Sequence, residues 1–427
     1  MSPTQTWQSR PETARRLQQR HRRNRLFRHL AATGLLLAVT ALVMMLGALL
    51  TASSEAFTET RIKLTVRYDR PLVDPRGDAS PESLEEGDYT AVIREAALQL
   101  FPQVASRTER RELIRLFSPG AAFRLKERLT SHPELLGNSE ELWLAASADA
   151  DQAFKSGLTG KEGERLTPFQ THLLLQFQER GALEQSFNTT LFTASDSREP
   201  EMAGVLGAAA GSFFTLLVTF FLCFPIGVTT AVYLEEFAQK NRWFDFVEVN
   251  INNLAAVPSI IFGLLGLAIY INLMHLPRSA PLVGGLTLAL MTLPTIIITA
   301  RAALLAVPPW IREAALGVGA SPLQAVMHHT LPLAMPGILT GSIIGMARAL
   351  GETAPLLMVG MVAFVVEIPQ GFLDSATALP VQIFLWAESP ERAFVAKTAA
   401  ASLILLLFLI VMNALAVVLR KRFEKTW

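Results

Sequence analysis

The segment "PPWIREAALGVGASPLQAVMHHTLPLAMPGI", residues Pro308–Ile338, holds the clearest local folding signals in the chain. Pro308 and Pro309 can open a helix, because proline is tolerated in the first turn. The alanine-rich residues that follow favour helix. Gly317 and Gly319 then end this helix, and either can take the left-handed position beyond its last turn. The first half of the segment therefore predicts one short helix.

A second short helix is predicted directly afterwards. Ser321 can act as the N-cap, with Pro322 at the first helical position and Gln324 placed to complete a capping box. Pro332 is expected to stop this helix. Two short helices joined at an angle form a compact projection, which is suited to docking in a groove of a partner protein.

The rest of the chain predicts an α-helical integral membrane protein. Of its 427 residues, 51% are hydrophobic and only 18% are charged. A helix of about 20 apolar residues spans the hydrocarbon core of a bilayer. Six stretches meet this requirement, namely 30–50, 205–233, 247–273, 282–307, 336–364 and 399–418.

The net charge of +1 hides an uneven distribution. The first 30 residues contain eight arginines and one acid, Glu12. This basic tail predicts a cytoplasmic N-terminus, since basic flanks stay inside. The predicted order is a tail at 1–29, a first span at 30–52, an outer domain at 53–200, a membrane domain at 201–420 and a cytoplasmic tail at 421–427. Segment 308–335 then lies on the cytoplasmic side.

The first apolar stretch has a second interpretation as a signal peptide. "SEA" at Ser54–Ala56 resembles a weak cleavage site. The apolar run is longer than a usual signal-peptide core, which favours an uncleaved anchor. Cleavage would leave the remaining topology unchanged.

Residues 53–200 predict a small α+β domain. The stretch "RIKLTVRYD" alternates apolar and polar residues, as a half-buried strand does, and "SFNTTLFTAS" can pair with it. Helical segments are predicted between these two strands, at 89–101, 109–117, 121–129, 139–154 and 168–181. His132 and His172 have no nucleophile beside them, so we expect a role in contact or gating rather than catalysis.

The sequence predicts no cofactor site in this chain. Its one cysteine, Cys223, cannot form an internal disulfide. No Cys/His cluster has metal-ligand spacing, and the adjacent His328 and His329 would point about 100° apart on a helix. The phosphate-binding pattern G-x-x-x-x-G-K-[ST] is absent, so any ATP hydrolysis must come from a partner. Nothing in the chain suggests a nucleic-acid partner.

Segment 308–335 resembles the EAA loop of bacterial ABC importer permeases. In that family the loop reads Glu-Ala-Ala, three residues, Gly, and later Ile-x-Leu-Pro. His329 stands where the family usually has isoleucine. The residues that match at the family spacing are Glu313, Ala314, Ala315, Gly319, Leu331 and Pro332. The resemblance implies that this loop couples the permease to its ATPase.

Further motifs resemble the PstA-type permease of the phosphate importer. They are "VPSIIFGLLG" at 257–266, "RALGETAPLL" at 348–357 and "VPPWIREAALGVGAS" in the coupling segment. The resemblance covers about residues 200–420. Residues 53–200 resemble the extra N-terminal domain of some longer members.

This resemblance implies a type I ABC permease fold with six transmembrane helices. The expected partners are a PstC-type permease in a heterodimer, two PstB-type ATPase subunits and a PstS-type phosphate-binding protein, besides membrane lipid. ATP and Mg would be bound by the partner ATPase and not by this chain.

Arg348 and Glu352 form a candidate ion pair in the fifth apolar stretch. They are four residues apart, so they share a helix face, and each charge costs about 3 kcal/mol at a helix centre. Gly337, Gly341 and Gly345 repeat every four residues, which allows close helix contact. The pattern predicts a span at a subunit interface that lines the pathway.

Three interpretations of the pair stay open: a structural clamp, a pathway element or a position near the membrane edge. A guanidinium can bind two phosphate oxygens. One hypothesis is therefore that Glu352 lets Arg348 exchange between carboxylate and phosphate.

Arg301, Asn253 and Ser259 are the remaining pathway candidates. PstA-type permeases often have an acid three residues after the arginine at 301, but here that position is Leu304. Snorkelling of Arg301 to the membrane interface is therefore the favoured interpretation. Asn253 and Ser259 could form a polar seam, although such residues more often cap or stitch helices.

Two alternatives to phosphate import are retained. The EAA pattern cannot separate phosphate from sulfate, molybdate or phosphonate, although the PstA-type motifs favour phosphate. A membrane sensor with 53–200 as its input domain is the other alternative. A sensor would need a cytoplasmic output domain, and the predicted inner segments are short.

Overall fold

The computed structural model describes residues 11–157, 166–362 and 364–423. Two compact units are distinguished, residues 1–52 and 53–427. In the first unit, one helix, α1, runs Pro11–Ser53. Its apolar part is long enough to cross a membrane, as the first predicted span requires.

Residues 53–200, here called the insert domain, contain a three-stranded sheet surrounded by short helices. The strands are β1 (Thr58–Arg67), β2 (Ser139–Ala145) and β3 (Leu183–Phe187). The helices are α2 (Arg70–Val73), α3 (Pro81–Glu85), α4 (Tyr89–Leu100), α5 (Arg107–Ile114), α6 (Gly120–Ser131), α7 (Ala148–Lys155), α8 (Pro168–Glu179) and α9 (Thr190–Thr193).

The sheet has the order β2-β1-β3, and both pairings are antiparallel. Ile62 of β1 lies opposite Leu144 and Leu183. Alternate β1 side chains, including Leu64 and Val66, are almost fully buried against the helices. This alternation is the predicted one, and the helix-packed face of the sheet contributes to the insert domain's hydrophobic core.

One helix prediction in the insert domain is wrong. Residues 139–154 were expected to form a single helix, but 139–145 form β2 and only Ala148–Lys155 is helical. Pairing with β1 overrides the helix propensity of this stretch, and Ser147 caps the helix that follows. Of the predicted second strand, 186–195, only Ser186 and Phe187 pair with β1, as the end of β3, and Thr190–Thr193 forms helix α9.

The membrane part begins at Leu206 and is helical. Its helices are α10 (Leu206–Val232), α11 (Arg242–Ala255), α12 (Ser259–Gly266), α13 (Pro281–Leu305), α14 (Pro309–Gly317), α15 (Pro322–Ala325), α16 (Leu331–Gly351), α17 (Ala354–Met358), α18 (Leu379–Ala387) and α19 (Ala393–Phe423). Wider π turns continue α10 to Phe237 and α12 to Leu273, and a third joins α15 to α16.

Two predicted spans have a different form. The third, 247–273, is broken between α11 and α12 with a bend of 100°, because Pro258 cannot continue a helix and disfavours helix in the residue before it. The fifth starts earlier than expected and ends at Gly351 instead of 364. In the part of the chain that is described, five helices can cross a membrane, or six if the bent pair forms one span.

A small apolar cluster joins the insert domain to the membrane part. Leu191 and Ala203 pack there with Leu379, Trp386 and Phe394 from α18 and α19. The insert domain is therefore seated on the same end of the bundle as α18 and the start of α19.

Candidate functional site

The coupling segment, residues 308–335, has the predicted helix–turn–helix start. Ser321 Oγ accepts from Gln324 N, and the Gln324 side chain accepts from Ser321 N at 2.9 Å, which completes the capping box. Gly319 has a φ of +89°. This left-handed conformation is unfavourable for residues with a Cβ, so glycine permits the tight turn after α14.

The prediction that Pro332 stops the second helix is wrong. Residues Pro322–Gly351 form one helical rod of 30 residues. Residues Val326–Thr330 form a π turn immediately before the proline, and Pro332 falls in the first turn of α16. Inside a continuous rod a proline lacks one hydrogen-bond donor and crowds the preceding turn, and the wider π turn before Pro332 accommodates it, so the helix continues.

The motif residues of α14 divide between two faces. Ile311 and Ala315 are buried, whereas Glu313 and Ala314 are exposed. Gly319 is also exposed, while Leu331 and Pro332 are half-buried. Ala315 therefore belongs to the packed face, and Glu313 and Ala314 are available to a partner.

An apolar knob projects from this segment. Val318 is 87% exposed, Trp310 61% and Leu323 60%. Exposed large apolar side chains are candidate contacts for a partner protein. We call these three residues the apolar knob.

Ion pairs connect the coupling segment to the membrane helices. Arg312 of α14 pairs with Glu236 at the end of α10, and the Glu236 side chain is only 1% exposed. A buried carboxylate requires such a partner. The pair therefore links α14 directly to the end of α10.

Arg301 is paired, contrary to the expectation that it snorkels without an acid. Its guanidinium lies 3.1 Å from Glu235 and 3.0 Å from Glu248, and it is 5.5 Å from the centre of the Phe244 ring. The family acid missing at Leu304 is replaced by acids from α11 and the end of α10. The consecutive acids in "YLEEF", 233–237, were the available sequence signal for this pairing.

Arg348 and Glu352 form a weaker pair than expected. Arg348 Nε lies 3.4 Å from Glu352 Oε1, and the Arg348 side chain is 56% exposed. Glu352 is the extended residue that ends α16. The pair lies at the C-terminal end of α16 and not near the middle of a helix, as the predicted span 336–364 would have placed it.

The glycine stripe packs inside this chain. A Cβ at Gly341 would collide with Thr299, and one at Gly337 would lie 2.7 Å from Ala303 Cβ. A Cβ at Gly345 would lie 3.0 Å from Thr292 Cγ2. All three contacts are with α13, so the stripe gives no support for the predicted subunit interface.

Asn253 and Ser259 lie on either side of the α11–α12 bend. Asn253 is exposed and Ser259 is half-buried as the first residue of α12. The Asn253 backbone carbonyl accepts from Ala256 N at 3.1 Å. The two residues therefore flank a break in the helix, and their pathway role stays a prediction.

The sequence analysis did not predict two sets of polar contacts where the insert domain meets the membrane helices. Asp196 Oδ1 accepts from Gln382 at 2.8 Å and from Trp386 at 3.0 Å. Lys397, which is 5% exposed, donates to the carbonyl of Ala203 at 2.6 Å. Both contacts link residues far apart in the sequence, so no local pattern indicates them.

Possible metal donors do not assemble. Within 11–157, 166–362 and 364–423, no group of three or more His, Cys, Asp or Glu side chains could hold a metal ion. Glu235, Glu236 and Glu248 instead pair with arginines, as described above.

Two family models match the chain. The model of the binding-protein-dependent transport system inner membrane component matches residues 223–425. A domain of unknown function (DUF3333) matches residues 14–163. The first match covers the coupling segment and its paired helices.

Relatives extend this similarity. The phosphate transport system permease protein PstA of Haemophilus influenzae is 32% identical over 223 residues, which cover 52% of this chain and 78% of the relative. This chain belongs to the PstA family of transport permeases. The phosphate transport system permease protein PstA 1 of Mycobacterium tuberculosis is 30% identical to this PstA-family chain, over 51% of it and 70% of the relative. The family assignment makes the chain a multi-pass membrane permease, which agrees with its apolar helices.

Solved transporters align with the membrane part of the PstA-family chain. An inward-facing methionine ABC transporter, MetNI, is 20% identical over 50% of this chain and 95% of its own, with a TM-score of 0.41. A bacterial ABC transporter involved in alginate import is 16% identical, and the alignment covers 51% of this chain and 79% of the transporter chain, with a TM-score of 0.39. At these scores the ABC permease fold assignment rests on the family match.

Proposed function

We propose that this chain is the transmembrane permease subunit of an ATP-driven importer of inorganic phosphate. The observation that carries the proposal is the similarity to PstA proteins that are named for phosphate transport. The exposed apolar knob and the Arg312–Glu236 pair support a role in mechanical coupling.

The proposed importer contains four kinds of subunit. A PstC-type permease forms the heterodimer with this chain, two PstB-type ATPases bind beneath, and a PstS-type protein delivers phosphate. ATP and Mg are held by the ATPase subunits. Both termini and the coupling segment face the cytoplasm, whereas the insert domain faces outside, as the basic flanks support.

Coupling follows from the geometry of the coupling segment. The apolar knob with Glu313 and Ala314 sits on the ATPase, whose closure moves α14 as a rigid body. Arg312 passes this movement to the end of α10. Arg301, which holds Glu235 and Glu248, keeps α10, α11 and α13 together, so the helices tilt as a group to open one side of the pathway.

Arg348, Glu352, Asn253 and Ser259 are proposed contacts along the pathway. The exposed guanidinium of Arg348 is available to an oxyanion, and its long contact with Glu352 allows exchange. A Glu352→Gln variant should assemble and show altered phosphate uptake, and unchanged uptake would contradict this exchange.

The function is tested by reconstitution with the binding protein, the second permease and the ATPase. Uptake is compared for phosphate, sulfate, molybdate and phosphonate. The proposal predicts ATP-dependent uptake with phosphate preferred. Preference for sulfate or another oxyanion would overturn the assignment of phosphate as the substrate. A complex that assembles but transports none of these anions would favour the alternative function as a membrane sensor.

A further inference from the structure

A basic cleft lies between α4, α5 and α6 of the insert domain, with a volume of about 1070 Å³. Two carboxylates, Glu85 and Asp88, also border it. Its lining includes six cationic side chains, those of Arg94, Arg107, Arg110, Arg111, Arg115 and Lys126. The formal excess in the cleft is therefore four positive charges.

This excess is a local feature, because the insert domain as a whole is acidic. Residues 53–200 contain 18 Lys and Arg against 24 Asp and Glu. Arg107 and Arg111 of α5 and the residue that caps it, Arg115, recur every four residues, which places them along one helix face. The fold thus concentrates positive charge on one side of an acidic domain.

The acids of α5 are engaged elsewhere. Glu109 accepts from Ser106 N at 3.2 Å in a capping box. Glu112 accepts from Thr167 Oγ1 at 2.5 Å. Asp88 at the cleft border is used to cap α4 through Ala91 N. Among the described residues, none of these carboxylates forms an ion pair with a cleft cation.

Several arginines of the insert domain that lie outside the cleft form ion pairs. Arg61, Arg76 and Arg128 each form an ion pair within the insert domain. Among the described residues, no ion pair involves a cleft cation, and Arg110 makes only a long hydrogen bond of 3.5 Å to Val104 O. Unpaired guanidinium groups gathered in one cleft favour an anionic ligand.

Exposed apolar surface in the cleft indicates the kind of ligand. Phe123, which lines the cleft, is 64% exposed and Ile114 is half-buried, whereas Ile93 and Phe117 are buried. Arginine beside aromatic residues is the composition of protein interfaces. The cleft is also far larger than one phosphate ion, so an acidic protein surface fits better than a single oxyanion.

We propose that this cleft docks an acidic surface of the importer's substrate-binding protein. The inference rests on the proposed function, which places the insert domain outside the membrane where that protein arrives. Complementary charge at the border of an interface speeds encounter and makes binding salt-dependent. The domain of unknown function would thus contribute a docking site beyond the membrane helices.

The test measures the Kd of the purified binding protein for the assembled importer in nanodiscs, at low and at high salt. The double variant Arg107→Gln/Arg111→Gln should weaken binding about tenfold at low salt and lose most of the salt dependence. The double variant Arg107→Lys/Arg111→Lys keeps the charge and should stay within about threefold of wild type. Arg67→Gln/Arg70→Gln removes the same charge outside the cleft and should not change the Kd.

An unchanged Kd in the cleft variant would overturn docking, as would an equal loss in the Arg67/Arg70 control. Inorganic phosphate, polyphosphate and anionic-lipid vesicles are tested in parallel. If the cleft variant loses binding only to one of these probes, the cleft serves that anion and docking is wrong. Phosphate uptake, measured on the same wild-type sample, separates this result from failure of the proposed function.

Discussion

Arg312 and Glu236 form an ion pair between the coupling segment and the end of α10, and the carboxylate is almost fully buried while the guanidinium is partly exposed. Glu235, which precedes Glu236 in the chain, forms an ion pair with Arg301 of α13. Two consecutive acids thus hold two arginines from different helices. This arrangement is the mechanical connection on which the coupling proposal depends.

Breaking this pair should uncouple transport from ATP hydrolysis. Glu236→Gln removes the charge that holds Arg312, and we expect fewer phosphate ions imported per ATP together with a stability loss of about 1–2 kcal/mol, since one partner is solvent-screened. Uptake and hydrolysis are measured in the same vesicles. Arg312→Gln and the double variant complete a cycle, and additive effects would show that the two residues act independently.

Arg301 should be more sensitive to conservative replacement than Arg348. Arg301→Lys keeps the charge but loses the fork that serves two carboxylates, so we expect a loss of about 1–2 kcal/mol. The matched change Arg348→Lys affects one long, exposed contact and should cost less than about 0.5 kcal/mol. Thermal unfolding in detergent compares them, and equal losses would refute the two-carboxylate role of Arg301.

Contact between α13 and α16 should depend on the absence of a side chain at Gly341. Gly341→Ala pushes a methyl group into Thr299, and overpacking of this kind costs about 1–3 kcal/mol. A Cβ at Gly345 would lie 3.0 Å from Thr292 Cγ2, a milder contact, so Gly345→Ala should cost less. Combining Gly341→Ala with Thr299→Gly should recover part of the loss, whereas no recovery would place the strain elsewhere.

The insert-domain junction should respond to pH through Asp196. Burial raises the pKa of Asp196, and hydrogen bonds from Trp386, Gln382 and Ser197 N oppose this shift. Because the folded state binds the proton more tightly, the junction is most stable below the unfolded pKa and loses stability as pH rises through the folded pKa.

Two replacements of Asp196 separate charge from hydrogen bonding. Asp196→Asn keeps an acceptor for both donors without the buried charge, so stability at neutral pH should be equal or higher and less dependent on pH. Asp196→Ala leaves Trp386 Nε1 and Gln382 Nε2 without this acceptor, at a cost of about 1–3 kcal/mol. Unfolding curves across pH test both, and an Asn variant as unstable as the Ala variant would contradict the account.

The apolar knob should be required for ATPase binding and not for folding. Val318→Asp places a charge on a side chain that is 87% exposed, so we expect normal thermal stability and loss of most co-purifying ATPase. Val366→Asp changes a similar residue, 63% exposed, outside the coupling segment. If the Val318→Asp variant still co-purifies with the ATPase, the apolar knob is not the binding site of the ATPase.

Local signals in the sequence were sufficient for four of the five helices predicted in the insert domain and for the start of the coupling segment. The capping box at Ser321 and the left-handed Gly319 depend on residues within one turn, so their spacing predicts them. Apolar length likewise predicts the spans. The bend at Pro258 also has a local cause, although a continuous apolar run conceals it.

Contacts between distant residues were not predictable in the same way. Arg301 was expected to lack an acid because the acid is absent from its own helix, yet Glu235 and Glu248 supply it from elsewhere. The helical continuity through Pro332 depends on the preceding π turn. β2 forms because β1 is available to pair with it. In each case tertiary context replaces the local rule.

Phosphate accumulation in proteoliposomes that contain the complete importer tests the central claim most directly. External binding protein delivers labelled phosphate, and the vesicles enclose either ATP with Mg or a non-hydrolysable analogue. The account predicts accumulation above the external concentration with ATP and none with the analogue. Equal accumulation with both nucleotides, or ATP hydrolysis by the assembled complex without phosphate entry, would contradict it.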